Sequence, residues 1–388
     1  MSNSLGNTTK PTLSLCMIVK NEREYLPRCL VSAKPYVNEI IVVDTGSEDG
    51  TPEIALQHGA KVTYFEWCND FAAARNYSIS QVTSDWILVL DADEELIVTS
   101  DNFLEQLVPN PEIILYLVSL TEVQDTKGLT PAWLPRLFRN LPELKYEACY
   151  HEHLTYDAKK ISEAEISYLE GVKILHYGYS PEKLLHKNIE RNIPILESID
   201  QEKGLNLMLL YCLAGMYNNT QQTEKAQGCY AEAFNNLLPH LIDGSPPEEF
   251  AFVPSLMFTL GVQALQEEDY ETVRLLCQRG LEWCPNYPPL NYLAGASLRA
   301  LGFFLGAIAY FEYCIQLGQE TSYYKGEPFE FCYMTTYPAY DMGCIYMEQG
   351  YDQEAFAAFE LALSFDSNFQ PAREKIDQIR PLWSNFEF

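Results

Sequence analysis

The chain has 388 residues, which predicts two domains, and its hydrophobic fraction of 47% is enough for a sizeable core. A net charge of −28 argues against nucleic acid and against an anionic membrane surface as partners, because both require clustered Lys and Arg. The 11 cysteines are scattered without a C-x-x-C pair, which indicates reduced thiols rather than a disulfide framework.

The N-terminal residues and the most apolar stretch of the chain bear on the location of the protein. Residues 1–11 are polar, lack the apolar core of a signal peptide and are predicted to form a disordered leader. The run from Ala300 to Phe311 is too short to span a bilayer. We therefore expect no transmembrane segment and a cytoplasmic protein.

Apolar runs alternate with helical patterns through the first half of the chain. Strands are predicted at Leu13–Val19, Glu39–Val43, Lys61–Phe65 and Trp86–Leu90, with helices between them. This alternation is typical of an α/β domain with a doubly wound, mostly parallel sheet. Ligands of such sheets bind at the carboxyl ends of the strands.

Carboxylates follow two of these strands. Asp44 ends the second, and Asp91, Asp93, Glu94 and Glu95 follow the Trp86 strand. Residues i and i+2 of an extended chain point the same way, so Asp91 and Asp93 can face one hard cation such as Mg²⁺ or Mn²⁺. The alternative is an acidic turn that opens the next helix.

A short Ala-rich helix is predicted after the third strand. Asp70 is suited to cap its N-terminus, which places Arg75 a little over one turn into the helix. A cation there can serve a phosphate-binding cleft, and the alternative is an ordinary solvated or salt-bridged Arg.

Four motifs occur in order: CMIVKNE from Cys16, EIIVVDTGSEDGT from Glu39, FEWCNDFAAARN from Phe65 and WILVLDADEEL from Trp86. Together they resemble the nucleotide-diphospho-sugar domain of glycosyltransferase family 2, which has a GT-A type fold, over roughly residues 12–195. The resemblance implies that Asp44 contacts the base or ribose of the donor and that Asp91 and Asp93 form the metal-binding D-x-D pair. It further implies a donor pocket lined by Lys20, Glu22, Asp70, Arg75 and Asp91.

Two later segments carry candidate residues for catalysis. Glu152, in the run Tyr150 to Leu154, is our candidate for the base that deprotonates the acceptor. If this run is a strand, His151 and His153 share one face and Glu152 takes the other. The alternative is a solvent-facing polar edge. His176 lies in another predicted strand segment, Val172 to Tyr179. The family resemblance implies a third metal ligand there, against the alternative of a structural histidine.

From about residue 205 the strand signals end and a helical repeat begins. Small residues recur in the first helix of each unit, followed 12 and 16 positions later by a second small residue and a larger one. The first members of the four units are Ala214, Gly261, Gly295 and Gly343. The pattern resembles tetratricopeptide repeats, with inserted loops near Pro239–Glu249 and Gly318–Tyr337. Such repeats present one face to a peptide or a partner protein.

We therefore expect a GT-A like domain over residues 12–200 and an all-α tetratricopeptide-like domain over 201–388. The predicted function is a metal-dependent, inverting transfer of a sugar from a nucleotide-diphosphate donor, in the first place a UDP-sugar, with Mn²⁺ or Mg²⁺ as cofactor. A peptide or protein acceptor and a homo-oligomer are both compatible with the repeats. The alternative is an inactive repeat scaffold for protein interaction. A nucleotidyltransferase is disfavoured, since Lys20-Asn21-Glu22 is not a Gly-rich triphosphate loop.

Overall fold

The computed structural model describes residues 10–100, 103–107, 110–123, 128–178 and 181–383. The chain forms two compact units, the first comprising Met1–Asp125 and Pro131–Gly204 and the second Thr126–Thr130 and Leu205–Phe388. The change of unit after Gly204 lies close to the expected domain boundary at residue 200. Most of the predicted leader, residues 1–9, lies outside the described residues.

An eight-stranded sheet forms the centre of the first unit, with the strand order β3-β2-β1-β4-β7-β6-β11-β5. Strands β7 and β5 run antiparallel to their neighbours, and the others are parallel to one another. Its strands are β1 (Leu13–Val19), β2 (Glu39–Asp44), β3 (Lys61–Tyr64), β4 (Trp86–Val89), β5 (Glu94–Val98), β6 (Leu115–Glu122), β7 (Ala132–Arg139) and β11 (Ile166–His176). A second sheet has the order β10-β9-β8, with β8 (Leu144–Glu147), β9 (His153–Tyr156) and β10 (Lys159–Lys160).

The first unit contains six α-helices among the described residues, four between the strands and two after the last strand. They are α1 (Leu26–Ala33), α2 (Thr51–Gln57), α3 (Phe71–Ile79), α4 (Phe103–Gln106), α5 (Pro181–Lys187) and α6 (Ile193–Lys203). A 3-10 turn spans Glu163–Glu165, and a π-helical turn, Asn188–Asn192, joins α5 to α6.

The central strands are apolar because both faces of the sheet are covered. Alternate residues of β1 enter two separate cores: Leu13, Leu15 and Met17 pack on one face, and Cys16 packs on the other. The predicted fold class of the first half, a mostly parallel α/β sheet, is confirmed.

Two local predictions of this unit are wrong. Glu94 and Glu95 begin strand β5 rather than a helix, because the chain turns back at once to pair with β11. The run from Tyr150 to Leu154 is not one strand: His151 has a left-handed backbone, with φ of 56°, and β9 begins only at His153. Tyr179, the last residue of the strand expected around His176, lies outside the described residues.

The described part of the second unit consists of paired helices, as predicted. They are α7 (Leu207–Asn219), α8 (Thr223–Asp243), α9 (Val253–Gln266), α10 (Tyr270–Trp283), α11 (Pro288–Ala300), α12 (Phe304–Glu320), α13 (Thr336–Glu348), α14 (Asp352–Phe365) and α15 (Gln370–Trp383). The first expected insertion begins later than predicted, because α8 continues through Pro239 to Asp243. The second is also shorter, because α12 runs to Glu320.

The repeat glycines are explained by close helix packing. A Cβ at Gly295 would lie 2.6 Å from Phe311, and a Cβ at Gly343 would lie 2.5 Å from Phe359. Both rings are fully buried. A glycine in the first helix of a repeat therefore makes room for the aromatic ring of the second.

The segment between α12 and α13, residues 321–335, packs on the first helices of three repeats. It contains a 3-10 turn, Phe331–Met334. The ring of Tyr333 lies 5.1 Å from Phe258 of α9, 5.3 Å from Tyr292 of α11 and 5.5 Å from Tyr337 of α13. The chain's own residues thus cover part of this helix face.

Candidate active site

The parallel strands bring the chemically distinctive residues of the first unit to one edge of the sheet. Asp44, Glu122 and His176 are the last residues of β2, β6 and β11, and Asp91 and Asp93 lie between β4 and β5. Since the carboxyl ends of parallel strands meet at one edge, these five side chains share one region.

Two buried arginines hold Asp91. Arg75 Nη2 donates to Asp91 Oδ1 at 3.1 Å, and Arg136 Nη2 donates to Oδ2 at 2.9 Å. Burial alone would raise the pKa of Asp91, but the guanidinium groups of Arg136 and Arg75 hold this pKa well below its usual range. Asp91 is therefore an ionised carboxylate whose two oxygens both face cations of the protein.

Glu94 fixes the turn that carries Asp91. Its Oε1 accepts from Arg136 Nη2 at 2.5 Å, and its Oε2 accepts from the backbone N–H of Asp91 at 2.8 Å. Burial raises the pKa of Glu94 to about 7, even with Arg136 beside it. Glu94 follows Asp93 directly and bonds the backbone of Asp91, so it stabilises the Asp-Ala-Asp turn from end to end.

Asp93 faces His176 rather than the arginines. The distance from Asp93 Oδ2 to His176 Nε2 is 3.4 Å, and His176 Nδ1 lies 2.7 Å from Glu122 Oε2. Burial alone would lower the pKa of His176, but hydrogen bonds to Asp93 and Glu122 raise it to about 10. Burial would raise the pKa of Asp93, but the hydrogen bond with His176 lowers it.

Gly178 packs directly against this pair. A Cβ on Gly178 would lie 1.8 Å from Asp93 Oδ2 and 2.9 Å from His176 Nε2. No larger residue fits there without moving one of the two side chains. The lack of a side chain at Gly178 therefore lets its backbone pack closely against the Asp93 carboxylate and the His176 ring.

Asp44 is held by the loop that follows it. Its Oδ1 accepts from the backbone N–H groups of Gly46 and Ser47, each at 2.9 Å, and the φ of 105° at Gly46 permits this turn. Its Oδ2 is buried and has no hydrogen-bond partner among the described residues. An N–H group of a bound ligand could satisfy this acceptor.

The remaining predicted donor-site residues differ in their surroundings. Lys20 follows β1 directly and is exposed. Glu22 is partly buried, and burial raises its pKa to about 7 although Lys187 opposes this. Asp70 caps α3 as predicted, since its Oδ1 accepts from the N–H of Ala73 at 2.9 Å.

Glu152 shares a cation with Asp91. Arg75 Nε donates to Glu152 Oε1 at 2.6 Å, and the side chain of Glu152 is 15% exposed. The expectation of a strand with His151 and His153 on one face is wrong, but Glu152 is not a solvent-facing edge residue either. Arg75 places it next to the carboxylate turn after β4.

Basic residues of α5 and the π-turn lie along the same region. Lys187 Nζ is 3.8 Å from Asp93 Oδ2, with 42% of its side chain exposed. Arg191, in the π-turn, lies 5.1 Å from the ring centroid of Phe71 at the start of α3. These cations partly offset the negative charge of the sheet edge.

The ligand atoms of Asp93 and His176 are close enough together to share one divalent cation. An oxygen and a nitrogen 3.4 Å apart can both reach one ion at about 2.1 Å, and Mg²⁺ commonly takes its other ligands from water and phosphate. Among the described residues no group of three His, Cys, Asp or Glu side chains is arranged to hold a metal. The predicted set of Asp91, Asp93 and His176 is thus brought together only in part, because Arg75 and Arg136 engage Asp91.

Arg136 and Glu122 contact the predicted site residues but were not predicted from the sequence. Arg136 lies inside the run Trp133-Leu134-Pro135-Arg136-Leu137-Phe138, where a charge within an apolar strand indicates a buried partner. The sequence around Glu122 gave no comparable signal, since its hydrogen-bond partner His176 is more than 50 residues away along the chain.

No helix in the described part of the chain is both long enough and apolar enough to cross a membrane.

The strand order and the Asp-Ala-Asp turn at the sheet edge define an α/β domain whose carboxylates gather at the carboxyl ends of parallel strands. Residues 14–124 match the family model described as Glycosyl transferase family 2, which confirms the resemblance inferred from the four motifs.

Two relatives match longer stretches of the chain. A TPR repeat-containing protein of Synechococcus elongatus is 45% identical over 177 residues, which cover 44% of this chain and 43% of that protein. The SPbeta prophage-derived glycosyltransferase SunS of Bacillus subtilis is 27% identical over 231 residues, which cover 58% of this chain and 54% of that protein. The chain therefore spans about half the length of these relatives.

Solved structures give weaker similarities. Glucosyl-3-phosphoglycerate synthase from Mycobacterium tuberculosis, in complex with Mn²⁺, uridine diphosphate and glucosyl-3-phosphoglycerate, is 23% identical, with a TM-score of 0.25 and coverage of 29% of this chain and 45% of that chain. MamA is 15% identical, with a TM-score of 0.34 and coverage of 53% and 99%. Scores this low carry no argument about ligands.

Proposed function

We propose that the protein is a glycosyltransferase that uses a nucleotide-diphosphate sugar, in the first place a UDP-sugar, and Mn²⁺ or Mg²⁺. The observation that carries the proposal is the pair of Asp93 and His176, whose potential metal-binding atoms lie 3.4 Å apart at the carboxyl ends of the strands. The Glycosyl transferase family 2 match of residues 14–124 supports the same class of reaction.

The donor is bound by residues of the sheet edge. The unpaired Oδ2 of Asp44 accepts an N–H of the base, and Asp91, held by its arginines, accepts hydroxyl groups of the ribose or the sugar. Asp93 and His176 would hold a divalent cation, which would supply positive charge against the departing diphosphate. Lys187, next to Asp93 and partly exposed, contributes a further positive charge to the diphosphate.

Glu152 accepts the proton of the acceptor. Arg75 Nε donates to its Oε1 at 2.6 Å and so holds the carboxylate in place, and a carboxylate is a group that can take a proton as a general base. Attack by the deprotonated acceptor, on the face of the sugar opposite the leaving diphosphate, inverts the anomeric carbon. Arg75 thus connects the acceptor base to the donor-side carboxylate Asp91 through one guanidinium.

The attached helical repeats support a peptide or protein acceptor as part of this proposal. The relative from Synechococcus elongatus is also named for such repeats. A homo-oligomer and a cytoplasmic location stay predictions from the sequence.

Binding of donor and metal tests the proposal directly. Calorimetry with sugars of uridine, guanosine and thymidine diphosphate, with and without Mn²⁺, should give Mn²⁺-dependent binding for at least one donor. Asp93→Ala should abolish the Mn²⁺ dependence, whereas Glu170→Ala, at an exposed position of β11, should preserve it. If no donor binds in a metal-dependent way, the proposal is wrong and the scaffold alternative is favoured.

The role of Glu152 is tested by measuring donor affinity and turnover separately in a variant. Glu152→Gln keeps a hydrogen-bond acceptor for Arg75 but removes the base. We expect transfer or donor hydrolysis to fall about 10²- to 10⁴-fold, with donor affinity nearly unchanged. Equal turnover in the variant and the natural protein would remove Glu152 from the mechanism.

A further inference from the structure

We propose that Glu122 is a positioning residue that orients the metal ligand His176. The inference rests on the proposed metal-dependent function. Both carboxylate oxygens of Glu122 approach His176 Nδ1, at 2.7 and 2.9 Å, while His176 Nε2 faces Asp93. The three side chains form a line from Glu122 through the imidazole ring to Asp93.

The register of the sheet fixes this arrangement. His176 of β11 lies opposite Glu122 of β6 on one side and opposite Glu94 of β5 on the other. The N–H of Val123 also donates to the carbonyl of His176 at 3.0 Å, which extends the ladder past the end of β6. The contact therefore depends on strand pairing and not on a mobile surface side chain.

The two flanking carboxylates have different tasks. The side chain of Glu94 is 1% exposed and is bonded to Arg136 and to the backbone of Asp91. That of Glu122 is 23% exposed and directs both oxygens at the imidazole. Glu94 thus stabilises the turn after β4, and Glu122 is the carboxylate that acts on His176.

Hydrogen-bond chemistry gives the consequence for metal binding. An ionised carboxylate can only accept, so Nδ1 of His176 must carry the hydrogen of this bond. When a metal ion displaces the proton on the other ring nitrogen, Nε2, on the side of Asp93, becomes the ligand atom. A carboxylate on the other ring nitrogen fixes the ring orientation and makes the imidazole a stronger ligand, and losing such a partner typically weakens metal affinity about 10- to 100-fold.

Titration of the full chain with Mn²⁺ alone, followed by the EPR signal of free Mn²⁺, tests this role without turnover. Glu122→Ala should weaken Mn²⁺ binding about 10- to 100-fold. Glu122→Gln should weaken it less, because its amide oxygen can still accept from Nδ1. Glu170→Ala, which removes one negative charge from an exposed position of β11, should bind Mn²⁺ as the natural protein does.

A double-mutant cycle separates orientation of His176 from general effects of charge or folding. If Glu122 acts through the imidazole, Glu122→Ala should have no further effect in a His176→Ala background. The nitrogen modulation from His176 in pulsed EPR of bound Mn²⁺ should also diminish in Glu122→Ala, at conditions where thermal melting shows the variant is folded.

The failures of the two proposals are distinguishable. If the natural protein binds no Mn²⁺, the metal-dependent function and this inference both fall. If it binds Mn²⁺ and Glu122→Ala binds equally well, only the role of Glu122 is overturned. The same holds if Glu122→Ala weakens binding equally with and without His176, since the carboxylate would then act independently of the ring.

Discussion

Gly178→Ala is a small change with a large expected effect on metal binding. The added Cβ would lie 1.8 Å from Asp93 Oδ2, whereas ordinary contacts begin at 3.4 Å. The carboxylate must therefore retreat by the difference, about 1.6 Å, and it must do so while His176 Nε2 is also crowded at 2.9 Å. The backbone at Gly178 is not left-handed, so alanine adds crowding without backbone strain.

Overpacking of this kind costs about 1–3 kcal/mol. Because the Asp93 carboxylate must return to its original position to bind the ion, the same energy is lost from the free energy of Mn²⁺ binding. Since about 1.4 kcal/mol is a factor of ten in a binding constant, we expect Mn²⁺ affinity to fall roughly 5- to 150-fold. Calorimetric Mn²⁺ titration measures this directly. Gly215→Ala is the matched control, because a Cβ at Gly215 meets nothing within 4 Å. Unchanged Mn²⁺ affinity in Gly178→Ala would refute the assignment of Asp93 and His176 as ligands.

Three further predictions concern stability. Gly343→Ala should lower the free energy of unfolding by about 1–3 kcal/mol, measured by urea denaturation, because its Cβ would lie 2.5 Å from the ring of Phe359; an unchanged midpoint would contradict the packing argument. Arg136→Met should cost about 3–5 kcal/mol, since Glu94 would remain buried without its cation, and a loss below 1 kcal/mol would show that this pair is not essential. Burial raises the pKa of Glu327 to about 7 from an ordinary 4.5, so the folded state holds this proton more tightly than the unfolded state and stability falls as the pH rises through this range. The loss approaches about 3 kcal/mol at pH 8, and Glu327→Gln should remove it; an equal decline between pH 5 and pH 8 in both proteins would argue against a buried Glu327.

The sequence predicted the sheet edge because its signals are local. The strands before Asp44 and Asp91 are apolar runs covered on both faces, and parallel strands place their ends together whatever their order. The repeat glycines were also predictable, since the same spacings of 12 and 16 residues within each unit mark Gly295 and Gly343 without knowledge of their contacts. In each case neighbouring residues along the chain carry the information.

The partners of these residues were not predictable because they depend on distant pairing. Arg136 reaches Asp91 only because β7 inserts beside β4 in the antiparallel direction. Glu122 reaches His176 only in the register that pairs β6 with β11. A D-x-D pattern predicts where Asp91 and Asp93 lie, but not that two arginines bond both carboxylate oxygens of Asp91. The left-handed backbone of His151 likewise has no glycine or asparagine to announce it.

The segment 321–335 occupies a face of the helical repeats that a peptide would otherwise bind. Tyr333 already contacts Phe258, Tyr292 and Tyr337, so any peptide that uses these rings competes with a residue tethered to the same chain. Tethering gives such a competitor a high effective concentration, on the order of millimolar for short flexible links. Removing the Tyr333 ring would then strengthen the binding of an aromatic peptide to this face, which is the reverse of what the loss of an aromatic side chain does to an open groove.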